Sequence, residues 1–234
     1  FSRTKMNFQR TERGLQVTET AGLAMPSRQS WAHVDSWTEE SDIIREARAR
    51  AEELGCPAVA RPTAALLRLL AATVQAQNIV EIGTGTGVAS AALLSGMTPA
   101  GVLTTIDVEA EHQRYAREVL LALGHEHTRV RLIAGRSLDV LPRLSDATYD
   151  LVFVDGDATD YPAIVQQAKR MLRIGGLLVL DHALWGGRVA DPADRDGETM
   201  ALRDAAGMVA ADTDWIPALL SVGDGVLVAM LSSR

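Results

Sequence analysis

Sulfur chemistry is nearly absent from this chain: Cys56 is the single cysteine in 234 residues. That excludes an intrachain disulfide framework, and no Cys/His group has zinc-site spacing, so a reducing compartment is expected and the cytoplasm is the default location. Positive charge is also short. Lys and Arg number 23 against 30 Asp and Glu, a net charge of -7 with a pI near 5.3. A general nucleic-acid or anionic-membrane surface is therefore not expected, and the partner that fits is a small molecule. No apolar run reaches the roughly 18 residues that a membrane span needs. The first residues, Phe1 to Lys5, are not followed by a signal-peptide core. Internal repeats, low-complexity tracts and interdomain linkers are missing too, so one domain is expected over 29–234. Residues 1–28, polar and without apolar periodicity, are expected to be a flexible arm or an appended segment, with Met6 or Met25 as candidate native starts.

What the chain does have is alternation. Short apolar runs at 78–82, 102–106, 130–134, 150–154 and 176–180 are separated by helix-like stretches. Continuous apolar strands spaced by helices imply an α/β fold with a mostly parallel sheet covered on both faces. Ser41-Asp42 opens one helix, which Gly55 ends. Arg61-Pro62 opens another, expected to pack on the sheet edge. Further helices are expected over Glu109 to Leu123, over Tyr161 to Leu172 up to the Gly175-Gly176 turn, and over roughly Asp196 to Ala211. The runs Trp215 to Leu220 and Val226 to Leu231, around Gly223-Asp224-Gly225, read as an antiparallel hairpin. Trp31 and Trp37 read as aromatics pinning the N-terminal segment to the domain or to a partner subunit, or as part of a lid.

The densest signal is Glu81-Ile82-Gly83-Thr84-Gly85-Thr86-Gly87, at the end of the first strand. Glycines there let backbone approach a ligand, and the following helix start offers free N–H groups. The dinucleotide fingerprint GxGxxG needs glycine at 88, where this chain has Val88. GxGxG preceded by an acid is instead similar to the pattern of S-adenosylmethionine methyltransferases, although glycines also serve tight strand-to-helix turns. Asp107, at the end of the second strand, stands where ribose hydroxyls would bind, or caps the next helix through Glu109.

Ligands of open α/β sheets bind outside the carboxyl ends of the strands, so Gly135-Arg136-Ser137, Asp155-Gly156-Asp157 and Asp181-His182 should converge on one crevice. Asp155 and Asp181 each end a buried strand. With a nitrogen or oxygen donor they could hold a divalent cation, or they could simply receive backbone N–H groups. His182 could be a ligand, a base near working pH, or a satisfied strand-end histidine. His33, His112, His125 and His127 read as surface residues, and Tyr161 as a packing residue at a helix start.

Four ordered motifs carry a resemblance: Glu81 to Gly87, Val152-Phe153-Val154-Asp155-Gly156-Asp157, Leu180-Asp181-His182-Ala183-Leu184-Trp185-Gly186-Gly187-Arg188-Val189, and Gly223-Asp224-Gly225. From about residue 40 onward the chain resembles the catechol and caffeoyl-CoA type O-methyltransferases, including small bacterial members. The resemblance implies a Rossmann-like seven-stranded methyltransferase fold, often a homodimer, acting on a hydroxyl of a small phenolic or catechol-like acceptor. It implies that Glu81, Gly83, Thr84, Gly85 and Gly87 hold the methionine part of S-adenosylmethionine, Asp107 the ribose and Ser137 the adenine edge. Asp155 and Asp181 would bind Mg²⁺ or a similar ion, with His182 as third ligand. Asp155, also beside the cofactor, and His182 are the candidate catalytic residues, and Trp185 is the candidate substrate contact. Two departures stand out. His182 replaces an asparagine, and an imidazole suits zinc, manganese or iron better than magnesium. Ala158 stands where the family has a lysine proposed as base. A metal-independent enzyme of the same fold, using His182 or no protein base, is the alternative. From another class come a non-catalytic nucleoside-binding protein and a dehydrogenase with an atypical loop.

Overall fold

The structure is a computed structural model that describes residues 27–233. The arm expected over residues 1–28 thus lies almost wholly outside the described residues. Seven strands are present: β1 (Asn78–Ile82), β2 (Val102–Asp107), β3 (Val130–Ala134), β4 (Tyr149–Val154), β5 (Leu172–Leu180), β6 (Trp215–Leu220) and β7 (Val226–Leu231). They form one sheet in the order β3-β2-β1-β4-β5-β7-β6, in which β7 alone runs against its neighbours. The winding reverses between β1 and β4, and a crevice opens at the carboxyl ends of strands at such a switch point.

Strand β4 is buried along its whole length, which is why its sequence shows an unbroken apolar run rather than alternation. Successive residues still point to opposite faces. Val80, Val152 and Leu178 meet one layer of helices, while Ile79, Leu151, Phe153 and Val179 meet the other. Asp150 ties the strand starts together: its carboxylate accepts from Gln77 N at 2.7 Å and Asn78 N at 2.8 Å, and from Arg173 Nε at 2.6 Å.

The helices are α1 (Arg28–Ser36), α2 (Asp42–Glu53), α3 (Arg61–Thr73), α4 (Val88–Gly96), α5 (Ala110–Ala122), α6 (Ser137–Val140), α7 (Tyr161–Met171) and α8 (Gly197–Ala211). The expected punctuation operates. The Ser41 side chain accepts from Ile44 N at the start of α2, Pro62 sits in the first turn of α3, and the Asp196 side chain accepts from Thr199 N at the start of α8. Two expectations differ from the structure. Helix α3 packs on α4 rather than on the sheet edge, because Gly96 lets the two backbones touch: a Cβ there would lie 2.2 Å from Arg68 O. Helix α7 ends at Met171, and β5 begins at once and runs through Gly175-Gly176 with a register shift against β4, so these glycines sit inside a strand. Trp31 lies on α1 and Trp37 caps its end, exposed by 44% and 77%. No helix of the described residues is long and apolar enough to cross a membrane.

Candidate active site

The glycine loop is shaped by what surrounds it. Gly83 has φ +92°, and a Cβ on it would lie 2.0 Å from the Asp155 carbonyl oxygen, so the ends of β1 and β4 meet backbone to backbone. Gly87 (φ +89°) presses on Ala116 of α5, whose Cα would lie 3.0 Å from an added Cβ. Hydroxyls secure the turn. Thr84 Oγ1 and Thr105 Oγ1 are 2.7 Å apart, and Thr86 Oγ1 donates to Ala47 O on α2 at 2.9 Å. Asp107 closes the loop from the next strand: Gly85 N donates to its Oδ2 at 3.0 Å and Glu109 N to its Oδ1 at 2.8 Å. The expected contact with Glu109 is therefore made, although Glu109 itself is the N-cap of α5 and no side chain caps that helix, and the same carboxylate also borders the cavity.

That cavity has a volume of about 630 Å³ and runs along the carboxyl ends of β1, β2 and β4. Gly83, Thr84, Gly85, Asp107, Ser137, Asp155, His182 and Trp185 all line it. Glu81 and Gly87 do not. Glu81 is fully buried beneath the loop, where one oxygen accepts from Ser90 Oγ and the other has no partner. Burial pushes its carboxyl up to about 8, against the opposing pull of the Ser90 hydroxyl. It supports the loop from below and makes no lining contact. Asp181, 2% exposed, is likewise behind the lining, with its Oδ1 accepting from His182 N at 2.9 Å.

The far end of the cavity is acidic and centred on His182. Its Nε2 lies 3.2 Å from Asp155 Oδ1 and its Nδ1 3.2 Å from Asp224 Oδ2. Asp155, Asp181 and His182 each offer one ligand atom, all within 4.8 Å of one another. The hydrogen bond to Asp155 drives the imidazole up to about 9, with the neighbouring carboxylate charges adding to it. Burial, then the Asp155 charge, pushes Asp181 up to about 7. Burial also raises Asp155, although the His182 contact pulls it back. His182 and Trp185 both have positive φ, +54° and +48°, a sparsely populated conformation for non-glycine residues. The indole meets the imidazole edge-on at 5.6 Å, and the Arg188 guanidinium lies over it at 5.0 Å.

Ala158, where the family resemblance implies a lysine, is buried in a short turn that Asp157 caps through Thr159 N. Tyr161 packs beneath, its hydroxyl donating to Val154 O at 3.2 Å. Three contributors escaped the sequence reading. His112, expected at the surface, lines the cavity with Nδ1 3.4 Å from Asp107 Oδ1. Its signal was its place one turn into the helix after Asp107. Asp224 looked like a turn residue, and its proximity to His182 arises only because β7 pairs with β5. Arg203 on α8 donates to the backbone carbonyls of Arg188, Val189, Asp191 and Asp194, clamping the loop after Trp185; nothing in its local sequence marks it.

A sheet wound in this order, with a glycine turn at its switch point and an acidic cleft adjoining it, defines an α/β fold of the methyltransferase type. Comparison with known proteins makes this specific. The O-methyltransferase family model matches residues 35–231. A Mycobacterium tuberculosis protein named "Probable O-methyltransferase Rv1220c" is 47% identical over 211 residues, 89% of this chain and 94% of that one. The crystal structure of a Corynebacterium glutamicum protein superposes with a TM-score of 0.81 at 35% identity, covering 87% of this chain and 96% of that one. The O-methyltransferase TomG of Streptomyces achromogenes, involved in tomaymycin synthesis and solved with S-adenosylmethionine, gives 0.81 at 31% identity over 89% and 100%. The chain belongs to the O-methyltransferase family.

Proposed function

We propose that this chain transfers the methyl group of S-adenosylmethionine to a hydroxyl of a small phenolic or catechol-like acceptor. One observation carries the reading: a single cavity joins the glycine loop, Asp107 and Ser137 to Asp155, His182 and Trp185. A donor lying along the loop would thus point its sulfonium toward the cluster that receives the acceptor. The backbone N–H groups of Thr84 and Thr86 and the Asp107 carboxylate would take the methionine and ribose parts, and the turn beginning at Ser137 would take the base. The S-adenosylmethionine bound in TomG supports the choice of donor.

Methyl transfer is an in-line displacement: the oxygen–carbon bond forms as the carbon–sulfur bond breaks, leaving a neutral thioether, and the acceptor hydroxyl must give up a proton. Alignment of the three atoms is the larger protein contribution, and Trp185 would supply it by stacking on a planar ring. Asp155, Asp181 and His182 fit a divalent cation by donor type and spacing. When bound, such a cation would lower the acceptor hydroxyl's pKa. A second, metal-independent reading is favoured by His182 itself, since an imidazolium between Asp155 and Asp224 places positive charge at the cluster without a metal. Either the Asp155 carboxylate or the deprotonated His182 then accepts the proton. We further read the chain as a cytoplasmic homodimer acting on small molecules, without nucleic acid or membrane partners. Its acidic charge and the exposed Trp31 of α1 and Trp37 at the end of that helix support this.

Calorimetry with S-adenosylhomocysteine, followed by methylation of 3,4-dihydroxybenzoate before and after EDTA dialysis, tests the proposal. Saturable binding and methylated product are expected. Absence of any S-adenosylhomocysteine binding would overturn it, and loss of turnover on dialysis, restored by a divalent cation, would select the metal-assisted form.

A further inference from the structure

We propose that Asp224, in the turn between β6 and β7, is a positioning residue of the acceptor half of the site: it holds the His182 imidazole by Nδ1, so that Nε2 faces Asp155, and it anchors the Trp185 loop through the same carboxylate. The inference rests on reading this end of the cavity as the acceptor site. Asp224 uses both oxygens. Oδ2 lies 3.2 Å from His182 Nδ1, and Oδ1 accepts from Gly186 N at 2.7 Å. The backbone alongside is locked in the same direction, with Leu184 N donating to Asp224 O at 2.9 Å and Ala183 N to Gly225 O at 2.9 Å. The two segments are so close that a Cβ on Gly225 would lie 2.4 Å from Leu184 Cγ.

An imidazole has two nitrogens of similar basicity, and the partner of one decides the role of the other. With Nδ1 held by Asp224 at 3.2 Å, Nε2 is the atom that faces Asp155, also 3.2 Å away, so the two carboxylates fix the orientation of the ring from both sides. Without Asp224 the ring could rotate about χ2 and exchange its nitrogens, and the strained backbone at His182 and Trp185 would lose an external anchor. A strand-end residue thereby acquires its orientation from a hairpin 42 positions later in the chain. The asparagine that the family resemblance implies at 182 would have no such pair of ring nitrogens to order, so the device belongs to the histidine this chain carries.

The test reads the ring directly. In the full chain with ¹⁵N-labelled histidine, assigned against His182→Gln, the His182 Nδ1 resonance should show a bound proton. In Asp224→Asn the Nδ1 signal should shift or lose that proton. Turnover of 3,4-dihydroxybenzoate should fall tenfold or more, while the S-adenosylhomocysteine dissociation constant stays within about twofold, and Asp224→Glu should recover part of the turnover. An unprotonated Nδ1 in the native chain would overturn the proposal, as would an Asp224→Asn ring spectrum identical to the native one. A fall in S-adenosylhomocysteine affinity in step with turnover would also overturn it, since that would make Asp224 a general structural residue. If Asp224→Asn does not fold, the native spectrum and Asp224→Glu decide. If the native chain does not methylate the probe, the acceptor assignment fails while the ring spectra still judge the role of Asp224.

Discussion

Gly83 and Glu81 are two residues apart and do opposite things to the loop between them. Gly83 combines φ +92° with a Cβ position 2.0 Å from the Asp155 carbonyl oxygen, so Gly83→Ala must move backbone at the ends of both β1 and β4. A destabilisation of more than about 1 kcal/mol and loss of measurable S-adenosylhomocysteine binding are expected. Retained binding with an unchanged melting temperature would contradict the packing described. Glu81 is a buried acid whose carboxyl sits at about 8 in the fold. Its folded pKa is raised, so the unfolded chain ionises first, and folding stability falls as pH rises from the ordinary carboxylate range to about 8. Glu81→Gln removes that cost. Its melting temperature should match the native chain near pH 5 and exceed it above pH 8, with S-adenosylhomocysteine affinity nearly unchanged because Glu81 does not line the cavity. A large affinity loss would instead show that Glu81 reaches the cofactor, as the family resemblance implies.

At the scale of elements, the loop from Trp185 to Asp194 makes its own backbone turns and is held from one side by Arg203 of α8 and from the other by the β6–β7 turn. Charged hydrogen bonds contribute roughly 1.5–3 kcal/mol each, and of the four carbonyls Arg188 O and Asp191 O also accept from the Asp191 and Asp194 N–H groups. Arg203→Ala should therefore loosen the loop: KM for the phenolic acceptor rises roughly tenfold while S-adenosylhomocysteine affinity holds. Steady-state kinetics paired with calorimetry separate the two, and parallel losses would assign Arg203 a fold-wide role. This clamp was invisible in the sequence because four carbonyls carry no side-chain signature. The elements themselves were legible: β1, the hairpin and the starts of α2, α3 and α8 follow from apolar runs, serine, proline and aspartate. The α7–β5 boundary was not. Gly175-Gly176 read as a turn, whereas close approach of Gly176 to the Tyr149 and Arg173 carbonyls admits glycine into the strand.

For the whole molecule, three perturbed groups act in one direction. Asp181, at about 7, and Glu81, at about 8, are raised acids, so each lowers stability as pH climbs from its unfolded value to its folded one. His182, at about 9, is a raised base whose stabilisation is complete below its unfolded pKa and is lost as pH rises through the folded value. The melting temperature of the ligand-free chain should therefore decline steadily from about pH 5 to pH 9, and a maximum at pH 8 or above would refute this charge arrangement.

The alternation of apolar runs with helices, the glycines of the 83–87 loop and the acids at strand ends were determined by the sequence alone, because each depends on a local period or on a single residue's conformational range. Val88 in place of the third fingerprint glycine likewise set the loop apart from the dinucleotide pattern. Only the tertiary structure decided that Glu81 lies beneath the loop rather than in the cavity, that His112 joins the Asp107 side, and that Asp224 meets His182. The last of these depends on the pairing of β7 with β5, which brings together residues 42 positions apart without leaving any local pattern to read, while the first two depend on which way a loop and a helix turn their side chains, which the residue types alone do not decide.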